Sequence, residues 1–106
     1  MQAARRMNMR NQLETVERHL AQRKCLWLDC EYAEGDAFYR REFFIKRHGG
    51  VLHVGLDEYL DDYEDAIDLY RRYVRASFDT LYEAMDFVLG ELGMNESDIV
   101  AGCKLG

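Results

Sequence analysis

Apolar residues recur at Met9, Leu13, Val16 and Leu20, at spacings of four, three and four. That period lines them along one side of an α-helix, with arginines and glutamates on the other faces, and it predicts a helix over roughly 3–23. The period then falls to two. In KCLWLDCEYA (24–33), Leu26, Leu28, Cys30 and Tyr32 share one face of a strand, and Cys25, Trp27, Asp29 and Glu31 share the other. EGD (34–36) signals a turn, and AFYRREFFIKR (37–47) is aromatic and β-branched enough for a second strand. HGG (48–50) supplies a tight turn, and VLHVGL (51–56) a third strand. Connections this short imply an antiparallel meander.

LDEYLDDYEDAIDLY (56–70) comes next, with seven acids and no lysine or arginine. Leu60, Tyr63, Ile67, Tyr70 and Val74 again recur at three and four, which predicts a helix. On that helix Glu58, Asp61, Asp62, Asp65 and Asp68 fall opposite the apolar stripe, as one solvent-facing acidic ridge. RRYVRASF (71–78) fits either a continuation of the helix or a fourth strand. The strand is preferred, because SFDT leads into a helix start. The final long helix spans 80–92: Asp79 or Thr80 caps it, Glu83 sits in its first turn, Leu81, Met85, Val88 and Leu92 form its stripe, and Gly93 closes it. NESDIVAG (95–102) predicts one more helical turn. The expected class is α+β: a three- to four-stranded antiparallel sheet packed by N-terminal and C-terminal helices.

With 106 residues, 48% of them hydrophobic, the chain can bury a core as one domain over 1–106. No apolar run approaches the ~20 residues that span a bilayer. Three cysteines, an odd number, point to free thiols and a reducing cytoplasm. Cys25 and Cys30, five apart on one strand, face opposite sides of the sheet and cannot bridge. The net charge of −6 is unevenly spread. Residues 1–56 hold 10 basic and 7 acidic residues, +3; residues 57–106 hold 4 basic and 13 acidic, −9. A half at −9 disfavours a nucleic-acid backbone or an anionic membrane as ligand and favours a basic partner.

Candidate chemistry thins out under the same scrutiny. DDYEDAID has no glycine where a calcium-binding loop needs one, and the cysteines and histidines lack paired metal spacing, so no metal or other cofactor is expected. There is no nucleophile elbow and no phosphate loop. Asp29, Glu31 and His53 could serve acid–base work from the sheet, but read better as a strand's polar side, and no catalytic residue is assigned. Arg40, Arg41, Lys46 and Arg47, beside Phe43 and Phe44, offer an RNA-binding strand, or else balance the acidic half of the same molecule; the second reading is preferred.

Tyr59, Tyr63, Tyr70 and Tyr73 fall in or beside the acidic stretch. Tyrosine with carboxylates suits a surface that grips arginines, the ring anchoring and the acids pairing. Tyr63 and Tyr70 are assigned to core packing and Tyr59 to contact. The expected partner-binding set is therefore Glu58, Tyr59, Asp61, Asp62, Asp65 and Asp68.

Small size, acidity and the strand-to-helix segment RYVRASFDTLYEAMDFVLGELG (72–93) resemble immunity proteins of contact-dependent inhibition and related polymorphic toxin systems. The likeness contains no family-defining residue, so it carries over no functional position. It implies a cytoplasmic, non-enzymatic antitoxin that binds a cognate toxin domain, a nuclease by the charge argument, and masks its active site. The competing expectations are a phage-type acidic nucleic-acid mimic inhibiting a defence nuclease, and a small ligand-binding or enzymatic α+β domain.

Overall fold

The computed structural model describes residues 2–105, with side chains over 11–103. Met9, invoked above, lies outside the described side chains. The elements run α1 (Gln2–Arg23), β1 (Cys25–Glu34), β2 (Ala37–His48), β3 (Val51–Leu60), β4 (Arg72–Phe78), α2 (Leu81–Gly90) and α3 (Glu96–Leu105). The four strands form one sheet in the order β1-β2-β3-β4, every pair antiparallel. The chain is thus an α+β protein in which N-terminal and C-terminal helices cover a four-stranded meander.

Side-chain alternation decides which face they cover. Leu26, Ile45, Val54 and Ala76 form one cross-strand row; Leu28, Phe43, Leu56 and Val74 form the next. Leu26, Phe43, Ile45, Val54 and Leu56 are buried under Val16 and Leu20 of α1, Leu81, Ala84, Met85 and Val88 of α2, and Ile99 of α3. Over the described side chains, the stripes of α1 and α2 are therefore the ones the period implied. Gly102 brings α3 close to β1, since a Cβ there would lie 2.2 Å from Leu28 Cδ2. His19, buried between α1, β1 and α3, places Nε2 3.0 Å from the Cys25 carbonyl and Nδ1 3.3 Å from that of Cys103.

The local signals at the turns and caps hold as well. Gly49 and Gly50 both take positive φ, 60° and 79°, which a two-residue hairpin turn matched to strand twist requires. Thr80 caps α2: its side-chain oxygen accepts the Glu83 N–H at 3.2 Å, and its hydroxyl donates to the Glu83 carboxylate at 2.8 Å. Gly93 takes φ 68° just past α2.

Two expectations are corrected. α3 is a ten-residue helix rather than a single turn. More consequentially, the acidic stretch forms no α-helix. β3 continues through Asp57, Glu58 and Tyr59 to Leu60, and only short 3-10 turns follow, at Asp61–Tyr63 and Ile67–Leu69. The reason lies across the sheet. β2 offers Arg40, Arg41 and Glu42 opposite Tyr59, Glu58 and Asp57, and β4 adds Arg72 and Tyr73 on the other side. A helix here would stack like charges at three and four residues; the strand gives Asp57 and Glu58 arginine partners.

Val88 sits mid-stripe on α2 with no exposed surface. Val88→Ala should lower stability by about 1–3 kcal/mol, read as a shifted denaturation midpoint. An unchanged midpoint would mean that α2 does not pack on the sheet.

Candidate protein-binding surface

The chain leaves β3 at Leu60 and rejoins the sheet at Arg72, and the segment between is held by its own backbone. Ala66 N–H donates to the Tyr63 carbonyl at 3.0 Å, Leu69 to Ala66 at 2.9 Å and Tyr70 to Ile67 at 3.1 Å. The Tyr70 ring stacks on Tyr59 with centroids 4.5 Å apart, and its hydroxyl donates to the Glu64 carbonyl at 2.5 Å. Tyr70 thereby fastens the loop to the sheet.

What the loop presents outward is mixed. Ile67 and Leu69 are 55% and 57% exposed, and Tyr63 is exposed beside them. Asp61, Asp62, Glu64, Asp65 and Asp68 are exposed too. Asp61 lies 3.6 Å from Arg40. Among the described residues, Asp62, Glu64, Asp65 and Asp68 form no ion pair. Isolated apolar side chains between unpaired carboxylates are a surface able both to attract a basic protein and to bury area against it.

Of the anticipated contact residues, Asp61, Asp62, Asp65 and Asp68 are therefore together on this loop. Glu58 and Tyr59 are not available to a partner: they are buried in β3, Glu58 only 4% exposed. Tyr63 and Tyr59 have exchanged their expected roles, because a strand register replaces the helical one. The exposed Ile67 was assigned to the core by the same helical period, and Leu69 was given no role.

Glu58 is the structural anchor beneath the loop. Tyr32 donates its hydroxyl to Oε1, Arg41 Nε lies 3.1 Å from Oε2, and Arg71 Nη1 lies 3.8 Å from Oε1. Arg71, the last loop residue, also reaches Glu34 at 2.7 Å and sits 3.9 Å from the centroid of the Tyr39 ring. Burial alone would raise the Glu58 pKa, but the hydrogen bonds from Tyr32 and Arg41 and the charges of Arg41 and Arg71 outweigh it, and the net direction is down. On the opposite face Tyr59 donates to Glu42; burial first, then that hydrogen bond, push the phenol well above its ordinary value.

The arginines proposed as an RNA surface are engaged by the protein's own acids. Arg40 bonds Asp29 at 3.0 Å and also Glu31, Arg41 bonds Glu58, and Arg47 reaches Glu17 at 2.8 Å. Asp29 and Glu31 therefore share one guanidinium, and His53 Nδ1 lies 3.1 Å from the Ser77 hydroxyl. Among the described residues, no three His, Cys, Asp or Glu side chains converge on a metal position, and no helix is long and apolar enough to cross a membrane. No known protein family, curated protein or solved structure matches this chain.

The anchor makes a pH-dependent prediction. A carboxylate with a lowered folded-state pKa stabilises fully above its ordinary value, near 4.5, and that contribution disappears as pH falls through the folded-state value. Glu58→Gln should cost about 1–3 kcal/mol at pH 7. The gap from the parent should narrow below pH ~4 as Glu58 itself protonates. Chemical denaturation at both pH values checks this; a gap of equal size at each would mean that the charge on Glu58 is irrelevant.

Proposed function

We propose that this protein binds and masks a basic surface of a cognate protein, as an immunity protein masks its toxin, and that it does so in the cytoplasm without enzymatic activity of its own. The observation that carries the proposal is the loop between β3 and β4, where four exposed carboxylates, unpaired among the described residues, are interspersed with the exposed Tyr63, Ile67 and Leu69. The two kinds of residue have separate tasks. Unpaired acids raise the rate of encounter with a positive surface. Apolar side chains supply area that slows dissociation, at about 25 cal/mol per Å² removed from water. The Tyr70 stack and the backbone turns hold the loop in shape before binding, which reduces the ordering cost of association.

A nuclease domain suits such a partner, because it must carry a cationic cleft for phosphates. The resemblance of 72–93 to immunity proteins points the same way. A mimic of a nucleic-acid backbone would use the charges but would gain nothing from exposing Ile67 and Leu69.

The test separates loop charge from fold. Asp62→Asn, Asp65→Asn and Asp68→Asn in one chain should leave the melting temperature unchanged or slightly higher, since no described partner is lost. Against the partner recovered by pull-down and identified by mass spectrometry, the triple variant should associate about tenfold or more slowly at low salt. The difference should shrink at high salt. Ile67→Ala with Leu69→Ala should act mainly on dissociation. A sharp loss of melting temperature with binding intact would assign these acids to the structure and remove the proposal.

A further inference from the structure

All three helices lie on one side of the sheet, and the other side bears a pattern of its own. Its first row is Trp27, Phe44, Gly55 and Arg75, one residue from each strand. The Phe44 ring occupies the space over Gly55, where a Cβ would lie 2.2 Å from Phe44 Cε2. Trp27 stacks parallel to Phe44, centroids 5.9 Å apart and planes within 6°, and stays 52% exposed. The Arg75 guanidinium lies 5.2 Å from the Phe44 ring centre and 4.3 Å from that of the exposed Tyr73.

The second row is Asp29, Glu42, Asp57 and Tyr73. Two of these carboxylates are neutralised within the fold: Asp29 by Arg40 at 3.0 Å and Asp57 by Arg75 at 2.8 Å. Glu42 differs. It receives the Tyr59 hydroxyl, and among the described residues no cation pairs with it. It stands directly across from Asp29 and shares a strand face with Phe44. The aromatic row also runs on into the loop: Tyr73 lies 6.3 Å from Tyr70, which stacks on Tyr59.

We propose that this open sheet face is the second half of the docking surface, and that it receives lysine or arginine side chains of the same basic protein, one of them at Glu42 beside Trp27 and Phe44. The inference rests on the masking function proposed above and extends it from the loop to the sheet. Charge complementarity selects the occupant. Cations are attracted to aromatic faces as well as to carboxylates, so the Trp27 and Phe44 rings beside Glu42, the one acid of its row without a cation among the described residues, attract a cation twice. A single-stranded nucleic acid could also stack on Trp27 and Phe44, but its phosphates would meet Glu42 and the acidic loop.

Trp27 is the chain's only tryptophan, so its fluorescence and indole N–H report on this face alone. The experiment titrates the isotopically labelled full chain at low salt with a nona-arginine peptide, and in parallel with single-stranded oligouridine. The peptide should move the Trp27 indole and the Glu42 and Tyr73 amides together with those of 61–70, saturably. Glu42→Gln keeps an acceptor for Tyr59 and should preserve the unbound spectrum while weakening the peptide about three- to tenfold. Shifts confined to 61–70 with Trp27 unmoved would overturn the inference and leave the loop's function standing; shifts nowhere would overturn both. Equal affinity of the Glu42→Gln variant, or a response of Trp27 to oligouridine and not to the peptide, would overturn the inference as well.

Discussion

Glu58 is a carboxylate taken out of water at the place where β3 emerges from beneath the helices. Burying such a group costs several kcal/mol unless opposite charge and hydrogen bonds meet it. Here they come from Tyr32 in β1, Arg41 in β2 and Arg71 at the entrance to β4. All four strands must therefore be in register before Glu58 is satisfied. A slip of one residue would turn Glu58 to the open face and drive Tyr59 beneath the sheet. Apolar rows such as Leu26, Ile45 and Val54 tolerate some exchange among themselves; a buried charge with three assigned partners does not. The anchor also fixes where the loop begins and ends, since Arg71 closes it.

From this lock follows a division of the acidic charge. Asp29, Glu31, Asp57 and Glu58 are bound to arginines and hold strands together. Among the described residues, the acids at 62, 64, 65 and 68 form no ion pair. The composition, −6 overall, treats these two populations alike. Only the pairing tells them apart: among the described residues, unpaired exposed acids gather on the loop, and others lie along the helical side at Asp79, Asp86, Glu91 and Asp98, while the half-buried Glu42 adds one unpaired carboxylate to the open sheet face.

The helices and turns could be read from the chain because their signals are local. Val16 and Leu20 keep a helical period, Thr80 caps a helix three residues before Glu83, and Gly49–Gly50 can make only a few kinds of turn. The segment 57–70 could not be read in this way. Leu60, Tyr63 and Ile67 satisfy a helix, while Leu56, Glu58 and Leu60 alternate as well as a strand does. The arbiters were Arg40, Arg41 and Arg75, distant in sequence, and no window along the chain contains them together with Glu58. Four of the six anticipated contact residues are exposed for a related reason: Asp61, Asp62, Asp65 and Asp68 reach solvent from a loop as they would from a helix, whereas Glu58 and Tyr59 change face with the register. Trp27 and Glu42 carried no local signal at all. Their importance appears only once it is known which side of the sheet the helices leave bare.

Strands β3 and β4 are immediate antiparallel neighbours, joined at Glu58 and Arg72. A tight turn could connect them as well as the present loop does, and closing a longer one costs only ~0.6 kcal/mol for each doubling of length. The residues from Asp61 to Leu69 are thus almost free of the obligation to fold. Under the masking function proposed above, mutations there would rewrite what the molecule recognises without touching the register that keeps it intact. A lineage built on this scaffold would then follow a changing partner by altering one short cassette, with selection on recognition and selection on folding acting on separate stretches of the same gene.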